Sequence, residues 1–154
     1  MSTKVKPGSV TAVQVLLILI AIYQLFNAVL GLLGALFIDT MDMATLVPAE
    51  MQSEAAVAEE QVWAVYVSSI IAFIYGVAAI VLVVMVAKAR PQARTATIGV
   101  NAVAGVIFLV LIATPVGDLA GVIVAIFAFV VVGLLFRQAA KAYFGAPVEN
   151  PAVG

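Results

Sequence analysis

Five side chains able to hydrogen-bond stand deep inside apolar sequence: Tyr23, Gln24, Asn27, Tyr75 and Asn101. Amides and phenols donate and accept hydrogen bonds but carry no charge near neutral pH. Their chemistry is therefore binding, orientation and bonding between helices, and not proton transfer. The other polar concentration is the stretch 39–61, which holds Asp39, Asp42, Glu50, Glu54, Glu59 and Glu60 and neither Lys nor Arg.

Neither set makes a strong metal or catalytic motif. Met41-Asp42-Met43, with Asp39 and Met51 nearby, offers thioethers that could hold copper(I). Without His or Cys, methionine there reads better as a flexible apolar contact. Glu59 and Glu60 could join Glu50 or Asp42 around a divalent cation, but adjacent residues on a helix do not share a face, which favours a solvated acidic surface. The chain has no cysteine and no histidine, which removes disulfides, thiolate metal sites and the commonest near-neutral proton carrier. No nucleophile has a base partner, no glycine-rich phosphate loop is present, and no apolar run contains an acid or base. The expectation is a protein that is not an enzyme, with no cofactor and no bound metal. A formal charge of -1 gives no basic body for nucleic acid. Ion-coupled transporters place ionisable groups near the midplane. Small multidrug transporters have an acid on the first span, where this chain offers only Gln14, Gln24 and Asn27.

The elements that must position these residues are long apolar runs. With 66% hydrophobic residues, 10% charged residues and mean hydropathy +1.26, the 154-residue chain departs from soluble usage, in which about a quarter of residues are charged. The composition predicts an all-α integral membrane protein with the lipid bilayer as its first partner. Four spans are predicted at about 10–38, 62–87, 95–113 and 119–136, within one membrane domain at 10–144. Residues 1–9 form a polar N-terminus, and Ser9 is placed to cap the first helix. A cleaved signal peptide fits poorly, because its apolar region is only about 7–15 residues long. The connector 39–61 contains a short amphipathic helix after Pro48, followed by Trp63 and Tyr66 at interfacial depth. Thr114 and Asp118 mark a turn, and 145–154 reads as a disordered tail.

Charge sets the orientation. Lys4 and Lys6 precede the first run; Lys88, Arg90 and Arg94 lie between the second and third; Arg137 and Lys141 follow the fourth. All seven cations thus share one side, and seven of the eight acids share the other. Basic residues near short loops stay in the cytoplasm, so both termini are expected inside and the acidic connector outside, in an up-down-up-down four-helix bundle.

At 100° per residue, each run separates into a small or polar face and a bulky one. The first pairs Gln24, Asn27, Gly31 and Gly34 against Leu19, Ile22, Phe26, Leu33 and Phe37. The second sets Ser68, Ala72, Tyr75 and Gly76 against Ile70, Ile74 and Val81. The third carries Thr97, Asn101 and Gly105, and the fourth Gly121 and Ala125. Small residues let helices approach closely in lipid, so these faces are expected to meet. The five mid-depth polar residues are expected to bond one another or to line a ligand pocket, whereas Gln14 belongs near the interface.

Pro7-Gly8-Ser9-Val10-Thr11-Ala12 before a Leu/Ile run, spans heavy in Ala, Val and Gly, and a basic exit resemble small four-span membrane proteins of high-GC Gram-positive bacteria. That resemblance covers most of the chain and implies a cell-membrane location without an active site. The general plan is also similar to that of tetraspanins and claudins, whose loop cysteines are absent here. The first expectation is an accessory subunit that self-associates or joins a larger membrane complex through its small-residue faces and acidic connector. The second is a small channel or passive transporter for a neutral or hydrophobic solute. A lipid-acting enzyme is third, and would need a connector carboxylate folded over a pocket.

Overall fold

The structure is a computed structural model that describes residues 5–41, 43–117 and 119–145. Those residues are almost wholly helical and include no strand. In chain order they form α1 (Gly8–Thr40), α2 (Met43–Leu46), a 3-10 turn (Ala49–Met51), α3 (Gln52–Glu60), α4 (Val62–Ala87), α5 (Pro91–Leu111), α6 (Leu119–Leu135) and α7 (Gln138–Gly145).

Three of these helices, α1, α4 and α5, are long and apolar enough to cross a membrane. At 1.5 Å per residue they extend about 50, 39 and 31 Å, against a hydrocarbon core of about 30 Å. The 17-residue α6 reaches only about 25 Å. It qualifies only together with α7, from which it is bent by 69°.

Packing joins α1 to α4 most extensively, then α5 to α6, with smaller interfaces between α1 and α6 and between α4 and α5. The four long helices therefore close a ring in chain order. The outer surface is bulky and apolar, with Ile22, Phe26, Leu33, Ile70, Ile74 and Val81 all more than half exposed. Water would penalise such a surface and lipid does not. Inside the ring the small residues make close contacts. A Cβ at Gly31 would strike the Ser69 hydroxyl, one at Gly76 would lie 2.9 Å from Leu25 Cγ, and one at Gly105 would lie 2.8 Å from the Phe129 ring.

Several boundaries differ from the sequence expectation. Ser9 does not cap α1: its hydroxyl is buried without a partner, and the Pro7 carbonyl instead accepts from the amides of Val10 and Thr11 at 3.0 and 3.1 Å. The third long helix starts at Pro91 and not at 95, because proline needs no amide partner in a first turn. Arg94 therefore lies within α5, where its Nε donates to the Leu135 carbonyl at 3.0 Å. This satisfies an open carbonyl at the end of α6 and brings a cation to the negative end of that helix. The predicted tail loses its first residue to α7, which ends at Gly145; 146–154 lie outside the described residues. Helix α7 lies against α5, α1 and α6, with Ala140, Tyr143 and Phe144 buried. The predicted connector helix corresponds to α3, whose Ala55 turns inward while Met51, just before it, is exposed.

Only Lys88, Ala89 and Arg90 link α4 to α5. Arg90 N donates to Met85 O at 3.3 Å and Ala89 N to Val86 O at 3.1 Å, while Ala89 takes φ 47°. This is a Schellman closure with alanine at the left-handed position where glycine is preferred. Ala89→Gly should therefore stabilise the protein by about 0.5–1 kcal/mol, after allowing for glycine's greater unfolded-state freedom. Reversible unfolding in mixed micelles measures the gain.

Candidate functional site

The five mid-depth polar residues divide into two groups. Tyr75 and Asn101 form a closed pair between α4 and α5. The Tyr75 hydroxyl donates to Asn101 Oδ1 at 2.8 Å, and Asn101 Nδ2 donates to the Thr97 carbonyl at 2.8 Å. Asn101 and Thr97 are fully buried, and the Tyr75 ring lies 5.8 Å from that of Phe108. Both the oxygen and the nitrogen of this amide are engaged, so the pair holds helices together, while the Thr97 hydroxyl is buried without a partner.

Tyr23, Gln24 and Asn27 stand apart from that pair and line a cavity of about 490 Å³. On α1 the wall continues along Leu30, Gly31, Gly34 and Ile38. Helix α4 contributes Ala64, Ser68, Ser69 and Ala72; α5 contributes Phe108 and Leu111. Pro115, Val116 and Gly117 close it from the turn after α5, and Gly121 and Val124 close it from α6. Every lining side chain is uncharged.

Local structure fixes these walls. Ser68 and Ser69 both donate to the Val65 carbonyl, at 3.0 and 2.7 Å, which ties their hydroxyls to their own helix and leaves oxygen lone pairs available. Gly117 is held in the turn by its amide bond to the Thr114 carbonyl at 3.0 Å, and a Cβ there would run into the backbone of Leu111. A larger residue would push this wall of the cavity away from α5.

The two glycines predicted on the packing face of α1 have different surroundings. Gly31 is in close contact with Ser69, whereas a Cβ at Gly34 would meet nothing within 4 Å. Gly34 thus faces open space. The remaining predicted packing residues, Ala72, Gly76, Thr97, Gly105, Gly121 and Ala125, are all buried; Ser68 is only half-buried. Tyr23 is 39% exposed and stands at the cavity rim.

Gln24 is the chemically unresolved member. It is 2% exposed, and its Nε2 has no hydrogen-bond partner. A buried donor without an acceptor typically costs about 1–3 kcal/mol. The sequence placed Gln24 at mid-depth but could not reveal the orphaned amide. Ser69, 3% exposed, was missed because only Ser68 fell on the small-residue face; the turn 115–117 was missed as a wall because a turn position says nothing about what it covers.

The acidic connector lies apart from this cavity. Asp39 and Glu59 line a second hollow of about 360 Å³ with Ile38, Thr40, Met41 and Val62. Among the described residues no three His, Cys, Asp or Glu side chains come together. Asp42 and Asp118 lie outside the described residues. Gln14, at the N-terminal end of α1, accepts from Lys6 Nζ at 2.6 Å. Comparison with protein-family models, curated proteins and solved structures gives no match.

The Tyr75–Asn101 bond should show up in a double-mutant cycle of Tyr75→Phe and Asn101→Leu. The expected coupling is about 0.6–1.7 kcal/mol, the range for interhelical hydrogen bonds in lipid. Additive losses would mean that the two groups stabilise independently.

Proposed function

We propose that the chain is a cell-membrane protein of four spans, α1, α4, α5 and α6 with its bent continuation, arranged up-down-up-down with both termini in the cytoplasm. We further propose that it acts by holding a neutral solute and not by catalysis. The uncharged cavity between the long helices, with Gln24 and Asn27 in its lining, carries this reading. A volume of about 490 Å³ falls within the range of about 300–1,000 Å³ common to small-molecule sites. Solute binding is thus favoured over self-association through small-residue faces, since Gly31, Gly76 and Gly105 are already engaged inside the bundle. A role as accessory subunit keeps one supporting observation, the exposed carboxylates Glu54, Glu59 and Glu60 on the connector side.

Topology can be tested cleanly because the chain contains no cysteine. A membrane-impermeant maleimide should label Ser53→Cys in intact cells, and should reach Gln92→Cys only after permeabilisation. Labelling of Gln92→Cys from outside would reverse the orientation.

The cavity can be filled from Gly34, where a new side chain meets nothing at its first carbon. In lipid nanodiscs, Gly34→Leu should retain the helical content of the wild type. It should lose at least tenfold in affinity for the neutral fluorophore N-phenyl-1-naphthylamine relative to the wild type, with empty nanodiscs as the baseline. Equal binding by both proteins would place the dye on the lipid-facing surface and remove the support for a solute site.

A further inference from the structure

The end of the bundle away from the connector gathers positive charge with nothing negative beside it. The described acids, Asp39, Glu50, Glu54, Glu59 and Glu60, all lie in the connector, whereas Lys88, Arg90, Arg94, Arg137 and Lys141 lie at the other ends of the long helices. Packing brings these cations together. Arg94 Nε donates to the Leu135 carbonyl at 3.0 Å, which holds the start of α5 against the end of α6. Arg90 is the N-cap of α5, one turn before Arg94, and Arg137 follows Leu135 by two residues. Lys141 N donates to Arg137 O at 3.1 Å, so those two residues stand one turn apart. Helix α7 turns by 69° from α6 and buries Ala140, Tyr143 and Phe144, leaving Arg137 and Lys141 exposed. Lys88 and Arg90 are exposed as well.

Arg94 is the member that most needs an anion. It is half-buried, and its guanidinium is held by a neutral carbonyl and the Phe136 ring, 5.9 Å from the ring centroid. The carbonyl engages Nε, one of five N–H donors on a rigid fork that matches the oxygens of a phosphate. Taking a charge out of water is costly unless an opposite charge meets it, and no described acid stands at this end.

The border of the cluster is apolar. Phe136 is exposed, as are Val84 and Val81, one and two turns before Lys88. Given that the bundle spans a membrane as proposed above, the cations sit at headgroup depth, where the hydrocarbon-facing surface ends. A soluble phosphate would use the charge alone; a phospholipid also covers the apolar side chains beside it. A zwitterionic lipid carries its own cation into the cluster, and a net anionic one does not.

We propose that Arg94, with Arg90, Arg137 and Lys141 around it, binds the phosphate of an anionic glycerophospholipid whose acyl chains lie along the exposed apolar side chains of the neighbouring helices. This site rests on the membrane-spanning reading and not on the solute cavity.

Titration of the full chain in uncharged maltoside micelles tests the assignment, with bimane attached through Gln138→Cys as a reporter beside Arg137. The probes are dioleoylphosphatidylglycerol, dioleoylphosphatidylcholine and glycerol 3-phosphate. The reporter protein should prefer phosphatidylglycerol to phosphatidylcholine by about twenty-five-fold or more, at about fivefold for each cation near an anionic surface. Glycerol 3-phosphate, lacking acyl chains, should bind about a hundredfold or more weakly than phosphatidylglycerol. Adding Arg137→Gln and Lys141→Gln, both at exposed positions, should lower phosphatidylglycerol affinity by about twenty-five-fold on the same scale. Arg94→Lys keeps the charge but loses the fork, and should cost about tenfold or more; a diffuse positive surface would not distinguish the two side chains. If Arg94→Lys loses the helical content of the wild type, the exposed pair carries the test. Equal binding of the two lipids overturns the proposal, as does a preference that survives the double substitution or a folded Arg94→Lys that binds like arginine. Glycerol 3-phosphate binding as tightly as phosphatidylglycerol would assign the cluster to a soluble anion and overturn the lipid. The micelle assay is indifferent to which side this end faces, so these failures are distinct from outside labelling of Gln92→Cys.

Discussion

Helices in contact with lipid gain little by hiding apolar side chains from one another, because the acyl chains are as apolar as leucine. What holds such a bundle is the distance to which backbones can approach and the hydrogen bonds they enclose. Here the closest approach is between α1 and α4, at Gly31 against Ser69 and at Gly76 against Leu25. Almost everything else in the structure follows from where that approach is maintained and where it is released. Between α5 and α6, Gly105 receives the Phe129 ring in the same way. The Tyr75–Asn101 bond then fixes α4 to α5 at a depth where a lone amide would be costly.

The cavity is the region where this approach is released. One turn beyond Gly31, Gly34 meets no neighbour, and the wall passes to Ser68, Ala64 and the turn at 115–117. Small residues thus have two opposite uses on one helix face. At Gly31 the missing side chain admits a neighbour; at Gly34 it leaves room. The polar residues divide similarly, since Asn101 has both amide ends engaged while Gln24 ends in an open donor.

The other end of the bundle is closed by different means. Helix α7 turns back across α5, α1 and α6, with Tyr143 edge-on to Phe144 at 5.1 Å and both rings buried. Arg94 joins the start of α5 to the end of α6 through the Leu135 carbonyl, and its guanidinium stands 5.9 Å from the Phe136 ring. A residue whose charge reads as a topology signal therefore also caps a helix. On the connector side the cavity is walled by the turn at Pro115, Val116 and Gly117.

Periodicity and composition were enough to show that the chain is built from long apolar helices, and which side of each carries bulk. Leu19, Ile22, Phe26, Leu33 and Phe37 read as an outward face of the first run, and all are exposed. The second run, 62–87, coincides with α4 because Lys88, Arg90 and Pro91 interrupt it in sequence and in space. Such features depend on one helix at a time, and angular spacing along a helix is written in the sequence. The choice of partner across the bundle is not, because it depends on how two surfaces approach. Tyr75 and Asn101 were expected to join Tyr23, Gln24 and Asn27, but the tertiary structure pairs the first two and leaves the others around a cavity. Gly31 and Gly34 look alike in sequence and differ only because Ser69 lies against one and nothing lies against the other. Sequence determined the helices and their faces through local spacing; tertiary structure alone decided which small residues became contacts and which became space, because that depends on interhelical distance.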